Sequence, residues 1–147
     1  MKLKTIILFQ IFFCFFITSA FSQTKQTIES LENKYQACLD KGQNMLGCAN
    51  TFYAQVDSLL NLQYRNLLGQ MGAAESVRFK NEQRKWLTDR DKHFVLLKQQ
   101  VHKEAVDNGF DGGQDEQMIV AERKAMYVKQ RVVELLTMSV SAKSQYP

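Results

Sequence analysis

Three clusters of glycine (Gly42 and Gly47, Gly69 and Gly72, then Gly109, Gly112 and Gly113) divide the body of the chain into four stretches. Within each, apolar residues return every three or four positions, the spacing of a helix with one buried side. The first stretch, near residues 25–39, presents Ile28, Leu31 and Tyr35. The second begins near Asn44, a residue type suited to the position before a first helical turn. It runs to about Gln70 through Met45, Ala49, Phe52, Val56, Leu60 and Leu67. The third, from about Ala74 to Val106, aligns Trp86, Phe94, Leu97, Val101 and Ala105. Its polar side sets Glu82 with Lys85 and Asp89 with Lys92, solvated pairs worth roughly a few tenths of a kcal/mol each. The fourth, from about Gln114 to Met138, carries Met118, Ala121, Ala125, Val128, Val132 and Leu136. No run alternates with period two, and the only proline is Pro147, so no helix is interrupted from within. The pattern predicts an all-α antiparallel bundle of three long helices plus a shorter N-terminal helix, with residues 141–147 frayed.

The opening segment departs from this pattern. Lys2 and Lys4 precede IILFQIFFCFFITSAF, which is apolar apart from Gln10, Thr18 and Ser19, and Ala20 and Ser22 follow as small residues. This is the layout of a secretory signal peptide, cut between Ser22 and Gln23. The run is shorter and more broken than the roughly 20 apolar residues of a bilayer span. Phe12 and Phe13 stand before Cys14 where a lipoprotein would need small residues. The expected organisation is a signal peptide over 1–22 and a single helical domain over 23–147, periplasmic or secreted, with no stable membrane anchor after cleavage. Export also changes the charge, because Lys2 and Lys4 supply two of the four net positive charges. The remaining balance is only mildly basic and gives no reason to expect nucleic acid as a partner.

Of the three cysteines, Cys14 leaves with the signal, so Cys38 and Cys48 remain. Two cysteines in an exported chain predict one disulfide, since a redox pair usually has the tighter Cys-x-x-Cys spacing. Closing so short a loop stabilises a fold by about 2–3 kcal/mol on chain-entropy grounds.

Polar residues border the apolar stripe of the second helix. At about 100° per residue, Tyr53, Asp57, Asn61 and Tyr64 fall within an arc of about 80°. The third helix offers Trp86, Arg90 and Asp91 in WLTDRD. The physical reading is a polar seam between two helices, with Asp57 accepting from Arg90 and Arg90 lying over the Trp86 ring. The tyrosine hydroxyls would find partners at the bundle edge. The order Cys38, Cys48-Ala49, Tyr53, Asp57, Leu60-Asn61, Tyr64, Trp86, Arg90-Asp91 resembles that of the LprI-like lysozyme-inhibitor domain. The resemblance extends from about Cys38 to Leu136 and sets Arg131 and Leu135 in fitting places on the last helix. It implies an exported helical protein, not an enzyme, that works by contact with a cell-wall hydrolase. Such domains commonly carry a second cysteine pair joining the third helix to the last. Here Phe94 stands where the first of those would fall, and no cysteine lies near Arg123.

Independent chemistry is sparse. His93 and His102, nine residues apart, fall on opposite faces of one helix and cannot share a metal or a proton relay. Both are expected to be solvent-exposed. Asp57, neutralised by an arginine, would make a poor general base. There is no cysteine–histidine nucleophile pair, phosphate-cradling loop or zinc spacing, so no catalytic residue, metal site or cofactor is expected. The loop DNGFDGGQDE, 107–116, is acidic without a basic residue. Gly109 stands where a calcium loop of the EF-hand type needs its second oxygen ligand, which favours a flexible connection. Phe110, set among Asp111 and Asp115, makes this loop a candidate contact for a basic protein. The loop KGQNMLG, 41–47, held by the predicted disulfide, is its rival. Because animal lysozymes are strongly basic, the chain's net charge supplies no long-range attraction to one. A binding module or scaffold for another envelope partner is therefore the alternative function.

Overall fold

A computed structural model describes residues 17–109 and 112–144, with side chains described for 25–109 and 112–139. Four helices account for almost all of it: α1 (Ile17–Leu39), α2 (Met45–Leu68), α3 (Ala73–Asp107) and α4 (Gln114–Ser144). Among the described residues there is no strand. The glycine clusters mark the three connections, and the all-α bundle read from the sequence is the fold. Two ends differ. α1 begins upstream of its expected start, and α4 continues to Ser144, so residues 141–144 of the expected frayed tail are helical. The signal-peptide reading rests largely on residues 1–16, which lie outside the described residues. No described helix is long and apolar enough to cross a membrane.

The order of packing does not follow the order of the chain. α2 and α4, separated by the whole of α3, form the principal interface. Its core contains Phe52, Val56, Leu60 and Leu67 of α2 against Ala125, Val128, Val132 and Leu135 of α4. Ala49 and Ala125 are fully buried, and residues without bulk at a seam let two helix backbones approach closely. The two helices run in the same direction. Met45 lies near Met118 and Ile119 at one end, whereas Tyr64 and Arg131 both meet the early turns of α3 towards the other. α1 and α3 flank this pair and run against it. α1 contributes the half-buried Ile28, Leu31 and Tyr35, the last stacked on Phe52 with ring centroids 4.7 Å apart. Burial, then the negative charge of nearby Glu122, pushes the Tyr35 hydroxyl up to about 12.

Local features hold the α1–α2 connection. Cys38 and Cys48 form the expected disulfide, with 5.8 Å between their α-carbons. Gly42 adopts φ 64°, the left-handed conformation that commonly ends a helix. Asn44 caps α2, its side-chain oxygen accepting from the Gly47 amide at 3.3 Å. A side chain at position 47 would run into the Asn44 amide, so Gly47 is required by the cap itself.

α3 is the least apolar partner. Over 35 residues it buries only Phe79, Gln83, Leu97 and Val101, while Trp86 and Phe94 are half-buried and Val95 and Leu96 face solvent. The expected Glu82–Lys85 and Asp89–Lys92 pairs do not form as drawn. Lys85 instead reaches forward one turn to Asp89 at 2.6 Å, the i,i+4 spacing that brings side chains directly over one another.

Candidate functional site

Two regions collect the polar residues singled out by the sequence: a seam along α2 and α3, and the end of the bundle that carries two loops. In the seam, Arg90 Nη1 lies 3.6 Å from Asp57 Oδ1, too long for a direct hydrogen bond but within ion-pair range. Asp91 engages Arg90 more closely, accepting from Nε at 3.0 Å and Nη2 at 2.8 Å. The guanidinium carbon stands 5.7 Å from the ring centres of both Trp86 and Phe94. Asn61 is exposed and donates to the backbone oxygen and carboxylate of Asp57 at 2.9 and 3.2 Å. Tyr64 stacks on Phe79, with centroids 5.2 Å apart. Tyr53 meets Phe94 edge-on at 6.1 Å, and burial followed by the Asp57 charge raises its hydroxyl pKa.

The structure adds members that sequence reading passed over. Gln83, buried on α3, accepts from Arg131 Nε and Nη2 at 3.3 and 3.2 Å, and Arg131 also donates to Glu134 at 2.9 Å. Arg131 therefore lies inside the bundle, with its guanidinium 5.7 Å from the Trp86 ring centre. Trp86 also stacks with Tyr127. His93 corrects the expectation of exposure: it is half-buried and stacked on Tyr127, with centroids 4.2 Å apart. His102 is exposed as expected and pairs with Glu116 at 3.0 Å. Phe94, standing where the resemblance would set a cysteine, packs edge-on against Tyr127 at 5.9 Å and faces the Lys124 ammonium at 5.1 Å. An aromatic and cation–π contact thus joins α3 to α4 where the resemblance would put a disulfide.

The seam can be tested as architecture. The Asp57 and Arg90 side chains are 33% and 19% exposed, so their ion pair is screened and worth less than a buried one. If the seam is architectural, Arg90→Ala costs about 1–2 kcal/mol through lost packing on Trp86 and Phe94. Asp57→Ala costs about 0.2–1 kcal/mol, with coupling of similar size in a double-mutant cycle read by urea unfolding. Wild-type melting of both variants together with lost partner binding would make the seam a recognition surface instead.

At the loop-bearing end the two rival docking loops turn out to be neighbours. Met45, from the end of the 41–47 loop, lines the same cleft as Asn108, Gly112, Asp115 and Met118 from around the 107–116 loop. The cleft holds about 640 Å³ and is floored by Val101 and Ile119. Met45, on the apolar stripe of the sequence pattern, is exposed here at the mouth of the cleft. Gly109 adopts φ 75° and ends α3. Arg123 donates to Glu104 at 2.7 Å, and this bond holds the Glu104 carboxyl below the usual carboxylate range. Together with His102–Glu116 it ties the last turns of α3 to the start of α4. Asp115 is exposed in the first turn of α4, where a carboxylate also complements the helix dipole. Phe110 and Asp111, the other two candidate contacts, lie outside the described residues. Among the described residues no group of three or more histidines, cysteines or carboxylates is arranged to hold a metal ion.

The family model described as Lysozyme inhibitor LprI matches residues 35–135, from the last turns of α1 to Leu135 of α4. No curated protein and no solved structure matches the chain.

Proposed function

The chain belongs to the LprI lysozyme-inhibitor family, and we propose that it is an exported, non-catalytic protein that inhibits a cell-wall hydrolase by docking through the loop-bearing end. The observation that carries this reading is one cleft lined both by Met45, at the start of α2 just after the first connection, and by Asn108, Gly112 and Asp115 around the third, with Met118 at its wall. Methionine adapts its shape to a partner surface, and a local carboxylate suits a basic enzyme. The disulfide, the Arg123–Glu104 ion pair and the His102–Glu116 contact hold this end in shape before binding, which reduces the ordering cost of association.

The test is a lysis assay with a basic lysozyme and the purified protein starting at Gln23. Inhibition is expected from the wild type. Met45→Asp and Met118→Asp should raise the inhibitory concentration about tenfold or more, as loss of a buried apolar anchor does. Asp115→Asn should slow association and flatten its salt dependence. Val77→Asp, at the opposite end, should change nothing. Absence of inhibition by the wild type overturns the lysozyme reading. It would leave the second one, a binding module for another envelope partner, which the lack of net negative charge favours.

A further inference from the structure

α2 and α3 are consecutive helices, yet their backbones stand apart, and long side chains such as Tyr64 on Phe79 and Arg90 beside Asp57 span the gap. Between them lies a groove of about 520 Å³ along the side of the bundle. Lys80, Arg84 and Arg90 line it from α3, and Asp57, Asn61 and Tyr64 line it from α2. Arg90 is committed to Asp57 and Asp91. The other two cations are not. Lys80 has no polar partner among the described residues, and Arg84 has only a 3.5 Å bond to the neutral Asn81 through its side chain. They stand one helical turn apart, a placement of like charges that destabilises a helix. A groove of small-molecule size thus carries two exposed cations without a carboxylate partner, facing an amide and a phenol.

We propose that this groove binds a small anionic ligand carrying a phosphate or carboxylate group on a polar body. The Arg84 guanidinium supplies parallel donors to two oxygens of the anion, and Lys80 supplies a compact second charge. Asn61 and Tyr64, on the far wall, offer polar groups to hydroxyls on the ligand body. Leu60 and Leu87 are the groove's only aliphatic lining, so a largely apolar ligand is poorly served. The groove runs along the flank of the bundle and shares no residue with the loop-end cleft, so the proposal stands or falls apart from hydrolase inhibition.

Calorimetric titration of the protein with glucose 6-phosphate, glucuronate and glucose tests it. Either or both of the anionic sugars should bind, which names the anion preferred, and glucose should not. Affinity should fall as salt is added. Lys80→Gln combined with Arg84→Gln should weaken binding about tenfold or more without lowering the melting temperature, since it also relieves the repulsion between the two cations. Lys98→Gln, elsewhere on α3, should bind as wild type does. Failure of both anionic sugars to bind overturns the proposal, as does equal binding by the doubly substituted protein. Binding to phosphatidic acid vesicles without binding to either sugar would assign the two cations to a membrane surface, and that also overturns it.

Discussion

Leu135→Ala is expected to lower the free energy of unfolding by about 3–5 kcal/mol, the largest effect of any single side-chain truncation considered for this chain. Leu135 is 0% exposed and belongs to the cluster in which α4 meets Phe52, Leu60 and Leu67 of α2. The loss has two parts, the transfer of the removed carbons and the cavity left where two backbones are already closely set. Helix propensity does not confuse the result, since alanine is the better helix former and would offset the loss slightly. Leu96→Ala is the matched comparison. Leu96 is 63% exposed on the outer side of α3, and its truncation should change stability by less than about 0.5 kcal/mol. Urea midpoints at constant slope measure both. Equal costs would mean that α2 and α4 are not the structural centre of the bundle.

That centre was only half legible in the sequence. Helix number and connections were readable because glycine clusters and an unbroken three-to-four spacing are local signals. Pairing is not local. α2 and α4 each show an apolar stripe, but a stripe does not say which of three other stripes covers it. The small residues on both, Ala49 on α2 and Ala121 and Ala125 on α4, were the available hint that these two could approach most closely. The helical residues 141–144 were misjudged for a related reason: a polar terminal stretch reads as frayed unless the helix behind it is already anchored.

The site shows the same division. Asp57, Asn61, Trp86, Arg90 and Asp91 could be grouped from helix geometry within two neighbouring segments, and the structure brings them within reach of one another. Gln83, Tyr127 and Lys124 carry no mark of their own in the sequence, and His93 reads as exposed, because their contacts join α3 to α4 across a long loop of sequence. One signal was present. Phe79, Gln83, Trp86, Arg90, Phe94, Leu97 and Val101 follow one another at spacings of three and four, so Gln83 and Arg90 occupy core-facing positions. A polar residue at such a position needs a buried partner. The relation of the two docking loops was hidden as well, since nothing local tells that the first and third connections share an end of the bundle.

The Gln83–Arg131 bond carries the second large prediction. Gln83→Leu should cost about 2–3 kcal/mol, because it takes the cross-helix acceptor from a guanidinium that is almost wholly inside the bundle. Arg131→Met should cost less, about 1–2 kcal/mol: methionine keeps most of the stem's packing, and the loss is an unpaired amide oxygen. The double variant, Gln83→Leu with Arg131→Met, should be more stable than the sum of the two losses by about 1 kcal/mol or more. Replacing both polar partners by apolar groups of similar size removes the desolvation cost together with the bond. α3 gives this cycle its meaning. Its apolar contribution is thin, so its attachment to α4 depends on a few cross-helix contacts, Gln83–Arg131 and the Trp86 and Phe94 packing on Tyr127 among them. Strict additivity in the cycle would show that Glu134, at 2.9 Å, satisfies Arg131 alone. In that case the aromatic contacts, and not the buried polar bond, hold α3 against the core.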